Sequence, residues 1–170
     1  MAQTVHLAAT INGSAIEGES SIVSMERENT IECASFQFEV LTPREAATGQ
    51  VTGTRQYKPL RITKRIDKTS PLLFKALTMS EPVNEGVFRF YRVAEGRTRG
   101  GGRERRAEEH FMTITIANGY VASMKQTSEG VVTAGPQAPP MMEEVEFVFQ
   151  DITMTYESNG ATHTDPRSGE

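Results

Sequence analysis

Residues Tyr57–Leu77 read YKPLRITKRIDKTSPLLFKAL, and two periodicities meet inside them. Leu60, Ile62 and Ile66 fall on alternate positions, which puts them on one face of a strand across Tyr57–Asp67. Lys64 occupies the same face and breaks its apolar run. Beyond it the spacing changes. Ser70 suits a helix N-cap and Pro71 the first helical turn. Leu72, Leu73, Ala76 and Leu77 recur at helical spacing as one apolar stripe, and Pro82 closes the element. One short helix within Ser70–Ser80 is expected, packed on or capping a sheet.

Outward from this stretch the period is two. Val5, Leu7, Ala9 and Ile11 share one face of a first strand, which Gly13 ends. Phe36, Phe38 and Val40 do the same within Ile31–Leu41. Phe88 with Phe90, then Met112, Ile114 and Ile116, then Val145, Phe147 and Phe149 repeat the pattern. Several such strands around one helix predict a mainly β fold, an antiparallel sandwich or barrel. After Phe149 the phase slips, because Ile152, Met154 and Tyr156 are in step with one another but not with Phe149. Either a bulge lies near Gln150–Asp151, or the strand there passes between two sheets or subunits.

The remaining segments read as loops. Ile22, Val23 and Met25 are compatible with a short strand inside polar Glu17–Thr30. Thr42–Gln56 is polar and glycine-containing, a long mobile excursion between strands. Ala94–Glu109 sets Gly100, Gly101 and Gly102 among alternating arginines and glutamates, and Pro136, Pro139 and Pro140 mark another turn region. The expected organisation is one domain over residues 1–157 and a flexible polar tail over 158–170.

Composition narrows the class of function. With 37% apolar and 24% charged residues, the 170-residue chain matches a globular domain with a real core. A net charge of −4 lacks the basic surplus of a general nucleic-acid or membrane-surface binder. Met1–Thr10 alternates instead of forming a signal-peptide run, so a cytoplasmic start is expected. Cys33 is the single cysteine and forms no internal disulfide.

No chemical motif emerges. His6, His110 and His163 stand far apart in sequence without metal-ligand spacing. There is no Gly-x-Ser-x-Gly elbow, P-loop or dinucleotide fingerprint. Arg97, Arg99, Arg103, Arg105 and Arg106 admit three readings: a solvated loop, a subunit contact or a phosphate-binding patch. Interspersed Glu95, Glu104, Glu108 and Glu109 weigh against the last. The expectation is a protein that is not an enzyme, with no catalytic, cofactor-binding or metal residues and no cofactor.

Tyr57–Leu77 resembles the central signature of the haemolysin-coregulated protein (Hcp) family of type VI secretion tube proteins. There a PL-x-ITK-x-IDK strand runs into S-P-L-L and a short helix. Pro59, Leu60, Thr63, Lys64, Ile66, Asp67, Lys68, Ser70, Pro71 and Leu72 stand where that pattern has them. Glu143–Tyr156, EEVEFVFQDITMTY, is similar to the family's final strand. Weaker echoes are Glu17–Ser20, and Thr113–Ala117 with Val121–Ser123. The chain departs from the family in carrying Tyr57 where a histidine is frequent and Met154 where a tryptophan is frequent.

The resemblance implies an antiparallel two-sheet β-barrel with one short α-helix, as in tail tubes. It also implies homohexameric rings stacked head to tail into a secreted tube, with sheath and tip proteins as partners. Small effectors riding in the lumen are a further implication, and neither nucleic acid nor membrane insertion is. From the residues themselves, Ile152, Met154 and Tyr156 are either ordinary core or a subunit surface, and Thr42–Gln56 an idle or a stacking loop. The rival readings are a phage or other contractile-injection tail-tube protein, and a monomeric β-barrel module binding a small ligand.

Overall fold

Strands with one apolar face bury it most completely by curling the sheet around that face, and this chain does so. The computed structural model describes residues 3–94, 107–128 and 139–167. In chain order the elements are β1 (Gln3–Ile11), β2 (Ser14–Ile16), β3 (Ile31–Gln37), β4 (Val40–Leu41), β5 (Gln56–Tyr57) and β6 (Leu60–Arg65). There follow α1 (Ser70–Thr78), β7 (Val83–Val93), β8 (Glu108–Thr127), β9 (Met142–Val148), β10 (Asp151–Tyr156) and β11 (Ala161–Pro166).

Nine strands form one antiparallel sheet in the order β11-β10-β8-β7-β1-β3-β6-β9, with β2 added to β1. Strand β9 pairs back onto β8, so the cycle β8-β7-β1-β3-β6-β9 closes. The two expected layers are thus parts of one continuous sheet. Leu7, Ile31, Leu60, Ile62, Phe88, Ile114, Ile116, Val145 and Phe147 fill its interior.

Closure rests on the length of β8. Over Glu108–Gly119 it pairs with β7, and over Tyr120–Thr127 with β9. The change falls at Asn118, whose φ is 53°, and Gly119, where a Cβ would stand 2.2 Å from the Val148 carbonyl oxygen. Only glycine permits that approach. The phase slip after Phe149 lies opposite this bend. Strand β9 ends at Val148, and β10 restarts at Asp151 along Met112–Ala117 of β8. Strands β10 and β11 therefore project as a wing outside the closed cycle.

Lys64 stays in the core phase of β6 and is fully buried. Its ammonium lies 2.6 Å from Glu143 Oε1, 2.8 Å from Asp67 Oδ1 and 2.8 Å from the Arg65 carbonyl oxygen. Ser70 donates its hydroxyl to Glu143 Oε1 at 2.6 Å and accepts from the Asp67 amide at 3.1 Å. The Thr69 hydroxyl and amide both donate to Asp67 Oδ1, and Gln126 donates to Glu143 Oε2 at 3.0 Å. Burial opposes the charge on Asp67, but the bonds from Lys64 and Thr69 together outweigh it and hold its carboxyl below the usual carboxylate range. Ser70 is thereby recruited into the network, and Thr69 occupies the N-cap position of α1 without a capping side-chain bond.

Besides the N-cap, which is Thr69 and not the expected Ser70, four expectations are corrected. Ile22, Val23 and Met25 form no strand: a single 3-10 turn spans Ser24–Glu26, with Met25 and Glu26 in the left-handed region. On α1, Leu73 and Ala76 are buried but Leu72 and Phe74 are exposed, because the short helix turns only one narrow side to the barrel. Thr42–Gln56 is a built β-hairpin arm, with β4 paired to β5 and Arg44 bridged to Val51. Within the expected tail 158–170, Ala161–Pro166 form an ordered strand, since β11 pairs with β10 through all six residues and Thr153–Thr164 and Thr155–Thr162 bond across at 2.9 Å.

Because Lys64 is the one cation inside this network, Lys64→Met leaves Glu143 and Asp67 facing each other uncompensated. The expected loss is about 3–5 kcal/mol in chemical denaturation, and adding Glu143→Leu should recover a good part of it. A single variant within about 1 kcal/mol of the parent would contradict this assignment.

Candidate functional site: assembly surfaces

The wing carries part of the core pattern into solvent. Ile152 is buried against the barrel, while Met154 and Tyr156, on the same face of β10, are 40% and 37% exposed. The three residues pair with Ile116, Ile114 and Met112 of β8. An aromatic run leads out to them: Phe36 meets Phe90 at 4.9 Å between ring centroids, Phe90 meets Phe111 at 6.4 Å, and Phe111 meets Tyr156 at 6.5 Å. Arg92 lies over Phe111 at 4.7 Å, donates to the Tyr156 hydroxyl at 3.2 Å and pairs with Glu109. The barrel's apolar interior is thus continuous with an open strip at one end. Of the two readings left open for this set, Ile152 takes the core one, and Met154 and Tyr156 remain available to a neighbour.

The second surface is the arm. Beyond β4 and β5, the Glu45 amide donates to the Gln50 carbonyl at 2.8 Å and the Gly49 amide to the Glu45 carbonyl at 2.8 Å. The Thr52 amide donates to the Pro43 carbonyl at 2.9 Å. Arg44 donates to the Gly49 carbonyl at 3.0 Å. Val40, Leu41 and Val51 are exposed along it. A projecting hairpin with apolar flanks presents contacts a barrel wall does not.

A third surface surrounds α1. Phe74 and Met79 are exposed. Beside them a groove of about 560 Å³ is lined by Ile66, Pro71, Phe74, Leu77, Met124 and Gln126. These three surfaces lie on different elements of the chain.

The histidines occupy structural settings. His6 and His110 both lie against Tyr91, with ring centroids 5.6 and 5.1 Å away, and His163 is exposed on β11. Buried Arg27 stacks on Tyr91 at 4.6 Å and pairs with Glu108 at 2.6 Å, and the Tyr91 hydroxyl donates to the Met25 carbonyl. The Thr30 hydroxyl donates to the Arg27 carbonyl, so His6 Nδ1 donates to Thr30 Oγ1 at 2.9 Å. His6 Nε2 is buried, without a hydrogen-bond partner among the described residues. Burial pushes His6 below its ordinary value, and Arg27 adds to this against the pull of Glu32 and Glu108. Burial also drives the Cys33 thiol up to about 12, which leaves it unreactive. The arginines of the 95–106 loop lie outside the described residues.

The chain is a closed antiparallel barrel with one helix, a projecting hairpin and apolar surface on several sides. Comparison with known proteins makes this specific. The family profile "Type VI secretion system effector, Hcp" matches residues 9–156. The "Major exported protein" of Pseudomonas aeruginosa is 31% identical over 138 residues, covering 81% of this chain and 75% of that protein. Hcp1 from the Escherichia coli EAEC 042 pathovar, a solved structure, superposes with a TM-score of 0.78 at 25% identity, covering 98% of this chain and 99% of that one. The secreted protein Hcp3 from Pseudomonas aeruginosa superposes with a TM-score of 0.71 at 23% identity, covering 97% and 98%. The chain belongs to the Hcp family, the tube proteins of type VI secretion systems.

The lowered His6 value carries a sign. The folded form holds fewer protons than an unfolded histidine, which titrates near about 6.5. His6 therefore contributes stability above that pH, and the contribution is lost as pH falls below it, at up to about 1.4 kcal/mol per unit. Denaturation from pH 7.5 to 5 should show this slope in the parent and a flatter one in His6→Gln. Equal slopes would assign the acid sensitivity to other groups.

Proposed function

We propose that the chain assembles as a homohexameric ring, stacks head to tail into a hollow tube and is exported as part of the secretion machine. Supporting this reading is one observation: a chain matched to the Hcp family over residues 9–156 completes its own barrel, yet leaves apolar surface on the wing, the arm and the outer side of α1. Ring contacts would cover the wing strip with Met154 and Tyr156. Stacking would use the arm, where Arg44 and Glu45 are exposed; ion pairs between exposed side chains contribute about 0–1 kcal/mol each, so stacking would be weak, reversible and salt-sensitive. Weak stacking suits a tube that must come apart after use.

On this reading the subunit performs no catalysis and uses no cofactor. Its partners are further copies of itself, the sheath and tip proteins, and small effectors carried in the lumen. It begins in the cytoplasm and leaves through the machine. The relative named "Major exported protein" supports export.

Size exclusion with light scattering tests the ring. A mass of about 113 kDa, six copies of the 18.8 kDa chain, is expected at low and moderate salt. Met154→Glu should lower that mass without lowering the unfolding midpoint. Excising Thr42–Gln56 down to a tight turn should abolish stacked tubes in electron micrographs while rings persist. A monomeric parent, or polymers that survive loss of the arm, would overturn the corresponding half of the reading.

A further inference from the structure

The C-terminal strand reaches the root of the arm. Asp165 of β11 accepts hydrogen bonds at Oδ2 from Arg55 Nε, at 2.5 Å, and from the Tyr57 hydroxyl. Two residues on, the Arg167 guanidinium lies over the Tyr57 ring at 5.4 Å and donates to the Phe149 carbonyl at 3.2 Å. The Arg167 amide donates to the Gln150 carbonyl at 2.8 Å. The Tyr57 ring also meets buried Phe149 edge-on at 5.5 Å and Phe38 at 6.1 Å. The chain thus grips the base of the hairpin between a core phenylalanine and a strand more than one hundred residues away.

A two-stranded ribbon is marginal by itself, and this arm has only the β4–β5 pairs and one bridge as its ladder. Its direction must be imposed from outside. Strand β11, by contrast, is held in register by six pairs with β10, so Asp165 is a fixed point. The Tyr57 hydroxyl and then Arg55 hold the Asp165 carboxyl below the usual carboxylate range.

We propose that Asp165 and Tyr57 are positioning residues for the arm: the C-terminal strand clasps the arm's root and sets the direction in which the hairpin projects. What the arm then contacts rests on the stacking reading above, but the clasp does not. It also gives a role to Tyr57, where the family frequently has histidine: its hydroxyl is the donor that meets Asp165.

Hydrogen exchange on the full chain reads the clasp directly, through the Glu45, Gly49 and Thr52 amides bonded inside the arm. Tyr57→Phe removes one hydroxyl and keeps the ring; Asp165→Ala removes the acceptor. Tyr57→Phe should speed these amides roughly tenfold, the loss of about one charge-assisted bond, and Asp165→Ala, which also removes the Arg55 contact, by at least as much. Amides of β1 and β6 and the unfolding midpoint should stay as in the parent. The double variant should be no faster than Asp165→Ala alone, because both changes break one contact. Thr162→Val, on β11 but outside the clasp, should behave as the parent. Arm amides that exchange at the parent rate in both single variants, or additive effects in the double, would overturn the proposal. Should Asp165→Ala fail to fold, Tyr57→Phe decides alone. A parent that forms no tubes yet shows the exchange pattern would refute the stacking reading and leave the clasp standing.

Discussion

A lysine ammonium inside a barrel is tolerable only when its charge is matched and every proton finds an acceptor, and Lys64 meets both conditions. Glu143 and Asp67 flank it, and the Arg65 carbonyl accepts as well. The pair joins β6 to β9, while Ser70 and Thr69 tie the start of α1 to the same carboxylates. One network therefore fixes the register of two strands and the docking of the helix. Apolar residues of similar volume would pack there without that directionality. The resemblance motifs around Ile62–Pro71 and Glu143–Val145 meet at this point, although 73 residues separate Ser70 from Glu143.

Around that junction the barrel closes because β8 is long enough to serve two partners in succession. The bend at Asn118–Gly119 turns it from β7 toward β9. The same bend expels β10 and β11 from the cycle, so the wing follows from closure. Met154 and Tyr156 retain the core phase of their strand but have no barrel wall opposite them. Among the described residues the barrel is complete, yet this strip stays exposed.

The arm and the wing share an anchor. Asp165 belongs to β11 of the wing and Tyr57 to β5 at the root of the arm, so one carboxylate ties the two projecting elements to each other.

The sequence by itself determined the β periodicity, the single helix, the slip after Phe149 and the family, because these depend on local spacing and on contiguous motifs. It also contained a signal that period-two reading alone passed over. Glu143 alternates in phase with Val145, Phe147 and Phe149, as Lys64 does with Leu60 and Ile62, so two opposite charges in core phase were candidates for one buried pair. Only the tertiary structure decided the rest. Closure through β8, the seat of Arg27 on Tyr91, the ordered arm and the conversion of the polar end into β11 all depend on partners far away in the chain. Asp165 shows the reason most plainly: in a run of threonines and charges nothing marks it, and its role comes entirely from Tyr57 and Arg55, which the fold alone brings within reach.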